Sequence, residues 1–330
     1  MAGLLDITAL AAEFKAYYLD HGQNMATLRN KIITPTDSEV FFDDVRVITD
    51  DISDMGFYDM DTYAQGWQEN FTPANTLKLE VERVQITKMK MDLECVPDLL
   101  ESTWFGFMSS KDLNPQDYPF MRWWMDLAIP AYKKNWELFD FYKGIKVPIV
   151  ANTATPKGGA IDGIEKIIKD GISADKITPY TLGAPPAINS ANAAKDYVDY
   201  IEEFIYQIPR QERALIKPEV MIDINRIDLY EEGRRQKYSS LFNTMGVDVS
   251  AAAILKIKTS GFSVVGSSAM EGKDRIFTTR KGNAFNISRR PAPNSFRLLP
   301  IIYEKVNITT KWSKATGFWY LPWVYTTNVD

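Results

Sequence analysis

Histidine and cysteine are almost missing from this chain of 330 residues, which has one of each, His21 and Cys95. A single cysteine excludes an internal disulfide and a Cys-rich zinc site, and a single histidine leaves no His-based metal set. A Ser-His-Asp or Cys-His nucleophile would have to use His21, near the N-terminus, where nothing resembles an oxyanion site. No stretch is long and apolar enough for a membrane span. The opening, MAGLLDITALAAEFKAYYLD, lacks the cationic start and apolar run of a signal peptide, so synthesis in a cytoplasm is expected. Positive charge is not in excess: 38 Lys and Arg against 43 Asp and Glu give a net charge of -5. That argues against wrapping nucleic acid by counterion release, though not against a surface that merely faces it. Internal repeats and low-complexity tracts are also missing, which argues against a solenoid.

Nucleotide motifs fare no better. No G-x-G-x-x-G follows a strand, and GSSAMEGKD at 266–274 is a near miss for a P-loop. Five residues separate Gly266 from Gly272 where the motif has four, and Asp274 follows Lys273 where Ser or Thr would hold magnesium. The acidic pairs Asp43-Asp44, Asp50-Asp51 and Glu202-Glu203 are adjacent in sequence and read as solvated faces. Asp50, Asp51, Asp54, Asp59 and Asp61 cluster without EF-hand spacing, which leaves at most a weak calcium site. No cofactor, metal or catalytic residue is expected. A cytoplasmic α/β enzyme using its carboxylates is the alternative from another class.

What remains is ordinary globular composition, 45% hydrophobic and 25% charged, enough for one large domain or two. Asp6 caps an expected first helix, with Ile7, Leu10, Ala11, Phe14, Tyr17 and Tyr18 at helical spacing, and an extended arm with breaks at Gly22 and Pro35 follows. Glu39 to Thr49 reads as a strand or two. An acidic, aromatic loop then leads to Leu77–Leu93, whose apolar phase shifts at Val84 and Ile86, as at a bulge or bend. Together they form a long two-stranded excursion with Tyr63, Trp67 and Phe71 near its tip, which needs another surface to rest on.

A helix opens at Pro97-Asp98, and a long aromatic one runs from Tyr118, with Pro130 inside it and Gly144 at its exit. Farther on, IEKIIKD reads as a short helix ended by Gly171, AAKDYVDYIEEFIYQ as an amphipathic helix stopped by Pro209, and EVMIDI as a buried strand. Arg226 to Tyr238 reads as a helix interrupted at Gly233. Gly266 to Asp274 reads as a surface loop between two strands, and Trp312 to Thr327 as a strand pair turning around Gly317. Arg275, Arg280, Lys281, Arg289 and Arg290 form a small basic cluster in the sequence, opposite in charge to the acidic one at 50–61; the two read equally as the complementary faces of a ring-forming interface or as two unrelated solvated patches.

Taken in order, these pieces resemble the HK97-fold major capsid proteins of tailed bacteriophages. The resemblance rests on Trp67 and Glu69, Pro73, the two amphipathic strands, and the helix opening Pro97-Asp98-Leu99-Leu100-Glu101. It continues through the long "spine" helix, the VMID strand with Gly233 and Arg234 after it, and Val265-Gly266-Ser267, Met270, Ile276–Thr279 and Asn283. It implies an α+β fold with an N-terminal arm (1–44), an extended E-loop hairpin (45–95), a peripheral P domain (96–147 and 285–330) and an inserted apical A domain (148–284). It implies copies forming hexamers and pentamers of an icosahedral virion shell, assembled in the host bacterial cytoplasm. DNA would face the inner surface without sequence-specific contact. Portal, scaffold and decoration proteins are the expected partners, and no membrane is involved. The expected subunit-contact residues are Phe14, Tyr17, Tyr63, Trp67, Glu69, Phe71, Arg83, Arg280 and Lys281. An encapsulin-type nanocompartment shell, which shares the fold but encloses enzymes, is the alternative within it.

Overall fold

The computed structural model describes residues 12–13, 15–19, 22–42, 44–48, 52–61, 66–67, 69–70, 76–111, 119–216, 219–238, 254–257, 262–289, 296–299 and 305–329. In chain order these form α1 (Gly22–Ile33), β1 (Asp44–Ile48), β2 (Ile52–Asp61), β3 (Thr76–Gln85), β4 (Thr87–Cys95), α2 (Pro97–Lys111) and α3 (Phe120–Asn135), which runs on into a π-helical turn over Trp136–Phe141. Then come α4 (Ile164–Ser173), α5 (Ala193–Gln207), β5 (Glu219–Asp223), α6 (Ile227–Lys237), β6 (Ile254–Ile257), β7 (Phe262–Ser267), β8 (Phe277–Thr279), β9 (Ala284–Arg289), β10 (Phe296–Leu299), β11 (Val306–Phe318) and β12 (Val324–Thr326). Among the described residues the fold is α+β, with two five-stranded sheets and a separate two-stranded hairpin.

β11 is the axis of the first sheet. β4 lines one edge of it, while β9 and β10 share the other, since Ser313 pairs with both Lys88 and Arg289. β1 lies outside β9, parallel to it. The register puts Ile48, Arg289, Ser313 and Lys88 in one row across the sheet. The end of β1 and the start of β4 are therefore level, and the chain between them leaves the sheet as the β2–β3 hairpin. That hairpin has ten paired rungs, from Ile52–Gln85 to Asp61–Thr76. At about 3.4 Å per residue it extends roughly 30 Å. The phase shift read in the sequence is real: Ile86, buried, separates β3 from β4.

The second sheet runs β12-β8-β5-β7-β6, with β5 and β7 parallel. It packs under α5 and α6 through Tyr197, Ile201, Phe204, Val220, Ile222, Tyr230 and Val264. α5 has the limits that its Tyr197/Ile201/Phe204/Ile205 stripe and Pro209 predict, and all four side chains are buried. The larger core lies between the first sheet and α3, where Trp123, Trp124, Trp136, Phe141 and Trp312 gather. It reaches the second sheet through Met221, Met270 and Phe277.

Several expectations are corrected. The chain to residue 44 is not an extended arm throughout. Residues 22–33 form α1, whose Leu28 and Ile32 lie one turn apart in the main core, and Phe41 and Phe42 follow them in. Gly22 thus begins a helix. Of the span 45–95 expected as one excursion, only β2 and β3 lie off the first sheet, since β1 and β4 are strands of it. At the other end β12 pairs with β8, so the last strand returns to the second sheet and not to the first.

Three glycines read as breaks lie inside continuous elements. Gly171 is within α4 against Ile177, and Gly317 is within β11 under the Phe285 ring. Gly233 is within α6, where a Cβ would come within 1.9 Å of the Ala194 carbonyl oxygen. None of the three reverses the chain, and at Gly233 the approach of the neighbouring backbone requires the small residue.

Candidate functional site

The loop between β7 and β8 is the joint of the molecule. It is not the surface loop its polar letters suggest: Ser267, Ala269 and Met270 are buried, the last two completely. Carboxylates from three distant segments hold it. Glu137, in the turn that ends the long helix, accepts from Ser268 Oγ at 2.6 Å and from Ser38 Oγ at 2.7 Å. Ser38 Oγ lies 2.6 Å from Ser267 Oγ; its own proton is committed to Glu137, so Ser267 donates. Asp223, at the end of β5, accepts from Asn225 N and from Gly272 N, each at 3.0 Å. Glu165 of α4 takes Lys273 Nζ at 2.7 Å and Lys169 Nζ at 2.9 Å. Burial pushes the Glu165 carboxyl up, but the hydrogen bonds and charges of Lys273 and Lys169 outweigh it and hold the group below its ordinary value.

A second buried network lies beneath. Glu39 accepts from Trp136 Nε1 at 2.7 Å and Thr36 N at 2.8 Å, and pairs with Lys314 of β11, whose ammonium also lies 4.7 Å over the Trp136 ring. Desolvation lowers the Lys314 pKa against the pull of Glu39. No sequence signal pointed to this pair, whose members are 275 positions apart. These contacts fix the two sheets to the long helix. They arrange no nucleophile beside a base, and Cys95 is buried with its thiol pushed up to about 11 by desolvation. Among the described residues, no group of three or more His, Cys, Asp or Glu gathers to hold a metal, and no helix is long and apolar enough to cross a membrane.

The surfaces left for other molecules lie elsewhere. The β2–β3 hairpin pairs with no further strand among the described residues. Beyond its end Trp67 is 91% exposed, and Glu69 is exposed nearby. Phe139, Ile145, Ile149 and Val150 form another exposed apolar run where the long helix exits.

Of the expected contact residues, Tyr17 is half-buried under the Arg122 guanidinium, 5.8 Å from its ring centroid. Arg83 takes its place in β3 opposite Asp54. Phe14, Tyr63 and Phe71, and also His21, Arg290, Asp50 and Asp51, lie outside the described residues. Arg280 is drawn inward: it lies 3.3 Å from Glu212 and 4.6 Å over the Trp323 ring. Lys281 is exposed. Arg275 is buried and donates to the Thr327 carbonyl at 3.1 Å. The expected basic cluster is therefore not one surface patch.

No family model and no curated protein matches the sequence. Among solved structures the chain is similar to the capsid of an empty GTA particle, at 13% identity over 90% of each chain with a TM-score of 0.47. It is also similar to the satellite phage P4 procapsid that includes the size determination (Sid) protein, at 11% identity over 99% of this chain and 91% of that one, TM-score 0.49. A virus-like particle from Pyrococcus furiosus is similar at 9% identity over 92% and 96%, TM-score 0.43.

Proposed function

We propose that this chain is a structural shell protein: the major capsid protein of a tailed phage, with an HK97-like fold, whose copies assemble into hexamers and pentamers of an icosahedral head around double-stranded DNA. The observation that carries the reading is the ten-rung β2–β3 hairpin, which pairs with no other strand among the described residues and has a nearly fully exposed tryptophan beyond its end. An isolated two-stranded hairpin is marginal in water, so its stable form is one laid on another subunit. The order of parts supports the same reading. In it, 52–85 is the E-loop. The first sheet with its long aromatic helix is the P domain, and the sheet carrying α5 and α6 is the A domain. Assembly in the host bacterial cytoplasm, and portal, scaffold and decoration partners, belong to this reading.

The test is electron microscopy and sedimentation of the purified chain at assembly concentration across salt and pH. Closed shells or hexameric rings support it. A lone monomer under every condition overturns it. Nucleic acid or enzymes inside particles recovered from expressing cells separate a phage head from a nanocompartment.

A further inference from the structure

β4 forms one edge of the first sheet: among the described residues it pairs with β11 and with no other strand. Along it Met89 and Cys95 are buried and Met91 and Leu93 half-buried, while Lys88, Lys90, Asp92 and Glu94 are exposed. An open edge of nine residues is a template for strand addition, and proteins commonly guard such edges with charge. A guard of one sign would repel a second copy. This one changes sign midway, and the change is symmetric about Met91. In an antiparallel pair of β4 strands centred there, Lys88 of each copy faces Glu94 of the other, and Lys90 faces Asp92. The core-side row matches as well, with Met91 against Met91 and Met89 against Leu93. A one-rung slip would turn the apolar row to solvent.

We propose that β4 is a two-fold contact between copies of this chain, joining their first sheets edge to edge. The inference rests on the reading that copies assemble, and adds which edge relates two of them. Inside one chain the same charges already have light partners. Lys90 Nζ is 2.5 Å from Asp92 Oδ2, Lys305 Nζ is 2.6 Å from Glu94 Oε1, and Thr309 donates to Asp92 Oδ1 at 2.6 Å. Lys311 stands opposite Lys90 on β11. The exposed side chains, about half or more accessible on Lys90, Asp92 and Glu94, can turn to share or exchange these bonds across the strand pair at little cost. An isologous contact of this kind uses one patch twice, so each copy contributes two Lys–carboxylate pairs as well as its backbone edge.

Two experiments on the full chain test it. Lys90→Cys and Asp92→Cys subunits, oxidised separately and as a mixture, should give disulfide-linked dimers at least fivefold more abundant in the mixture, joined there between positions 90 and 92. A mixture no different from either alone overturns the proposal. In the second, Lys88→Glu/Lys90→Glu and Asp92→Lys/Glu94→Lys subunits should each self-associate at least tenfold more weakly than the parent, with an unchanged urea midpoint, and the mixture should regain association. No rescue on mixing overturns it. Should a charge variant fail to fold, the cysteine pair still decides. Shells without the 90–92 link would sink the β4 contact and leave the assembly reading intact, whereas linked dimers without shells would support the contact alone.

Discussion

The ammonium of Lys314 and the carboxylate of Glu39 are paired in the core, with side chains 5% and 0% exposed. The pair ties the segment before β1 to the central strand of the first sheet. Breaking a buried pair leaves one uncompensated charge, at a cost of about 3–5 kcal/mol. Lys314→Met should lower the urea unfolding free energy by that amount. Glu39→Gln combined with Lys314→Met should lose less than Lys314→Met alone, because the glutamine oxygen still accepts from Trp136 and, although Thr36 N loses its acceptor, the costlier orphaned charge is gone. Equal losses would mean that the packing of the lysine stem, not its charge, matters.

The joint should be acid-sensitive. Glu165 has its carboxyl held below the ordinary value of 4.5 by Lys273 and Lys169 in the folded chain. A depressed carboxylate contributes stability that is complete above the unfolded value and is lost as pH falls through the folded one. The difference in urea midpoint between the parent and Lys273→Ala should be constant near pH 7 and shrink below about pH 4.5. A gap that stays constant to pH 3 would show that the contact is not ionic.

Much of the architecture was legible because it follows local periodicity. The Tyr197–Ile205 stripe marked α5 to the residue and EVMID marked β5, while the phase change at Ile86, read as a bend within one excursion, is where the hairpin ends and β4 enters the sheet. The joint was not legible. Ser268 and Gly272 look like surface-loop residues until Glu137 and Asp223, 131 and 49 positions from the groups they accept, bring them their hydrogen bonds. Gly171, Gly233 and Gly317 were misread for the same reason. A glycine that admits a neighbouring segment has the same letter as one that turns the chain.

That distinction is measurable. At Gly233 a methyl group would strike the Ala194 carbonyl, so Gly233→Ala should cost about 3 kcal/mol by forcing α6 off α5. At Gly282, φ is +74° and nothing lies within 4 Å of a Cβ. Gly282→Ala should cost only the left-handed strain of about 1–2 kcal/mol. Urea midpoints of the two variants should fall in that order.

Cys95 should be inert while the fold holds. With its thiol at about 11, the thiolate at pH 8 is about a thousandth of the population, against roughly a quarter for a free cysteine. Ellman's reagent should react at least a hundredfold faster in urea than in buffer. Fast reaction of the native chain would mean that the β4 edge, where Cys95 is the last residue, opens readily.

Trp67 gives the sharpest separation of folding from assembly. At 91% exposure its ring contributes little to the isolated subunit, so Trp67→Ala should leave the unfolding free energy within about 0.5 kcal/mol of the parent. In the proposed assembly the same ring would anchor on a neighbouring copy. Truncating a buried aromatic at an interface costs about 2 kcal/mol or more, or roughly thirtyfold in affinity. The concentration needed for shells or rings, read by light scattering, should therefore rise at least tenfold while the urea curve does not move. If the urea curve moves instead, Trp67 serves its own chain. If neither moves, the tip of the hairpin is not where copies meet, and the assembly surface must be sought along its strands.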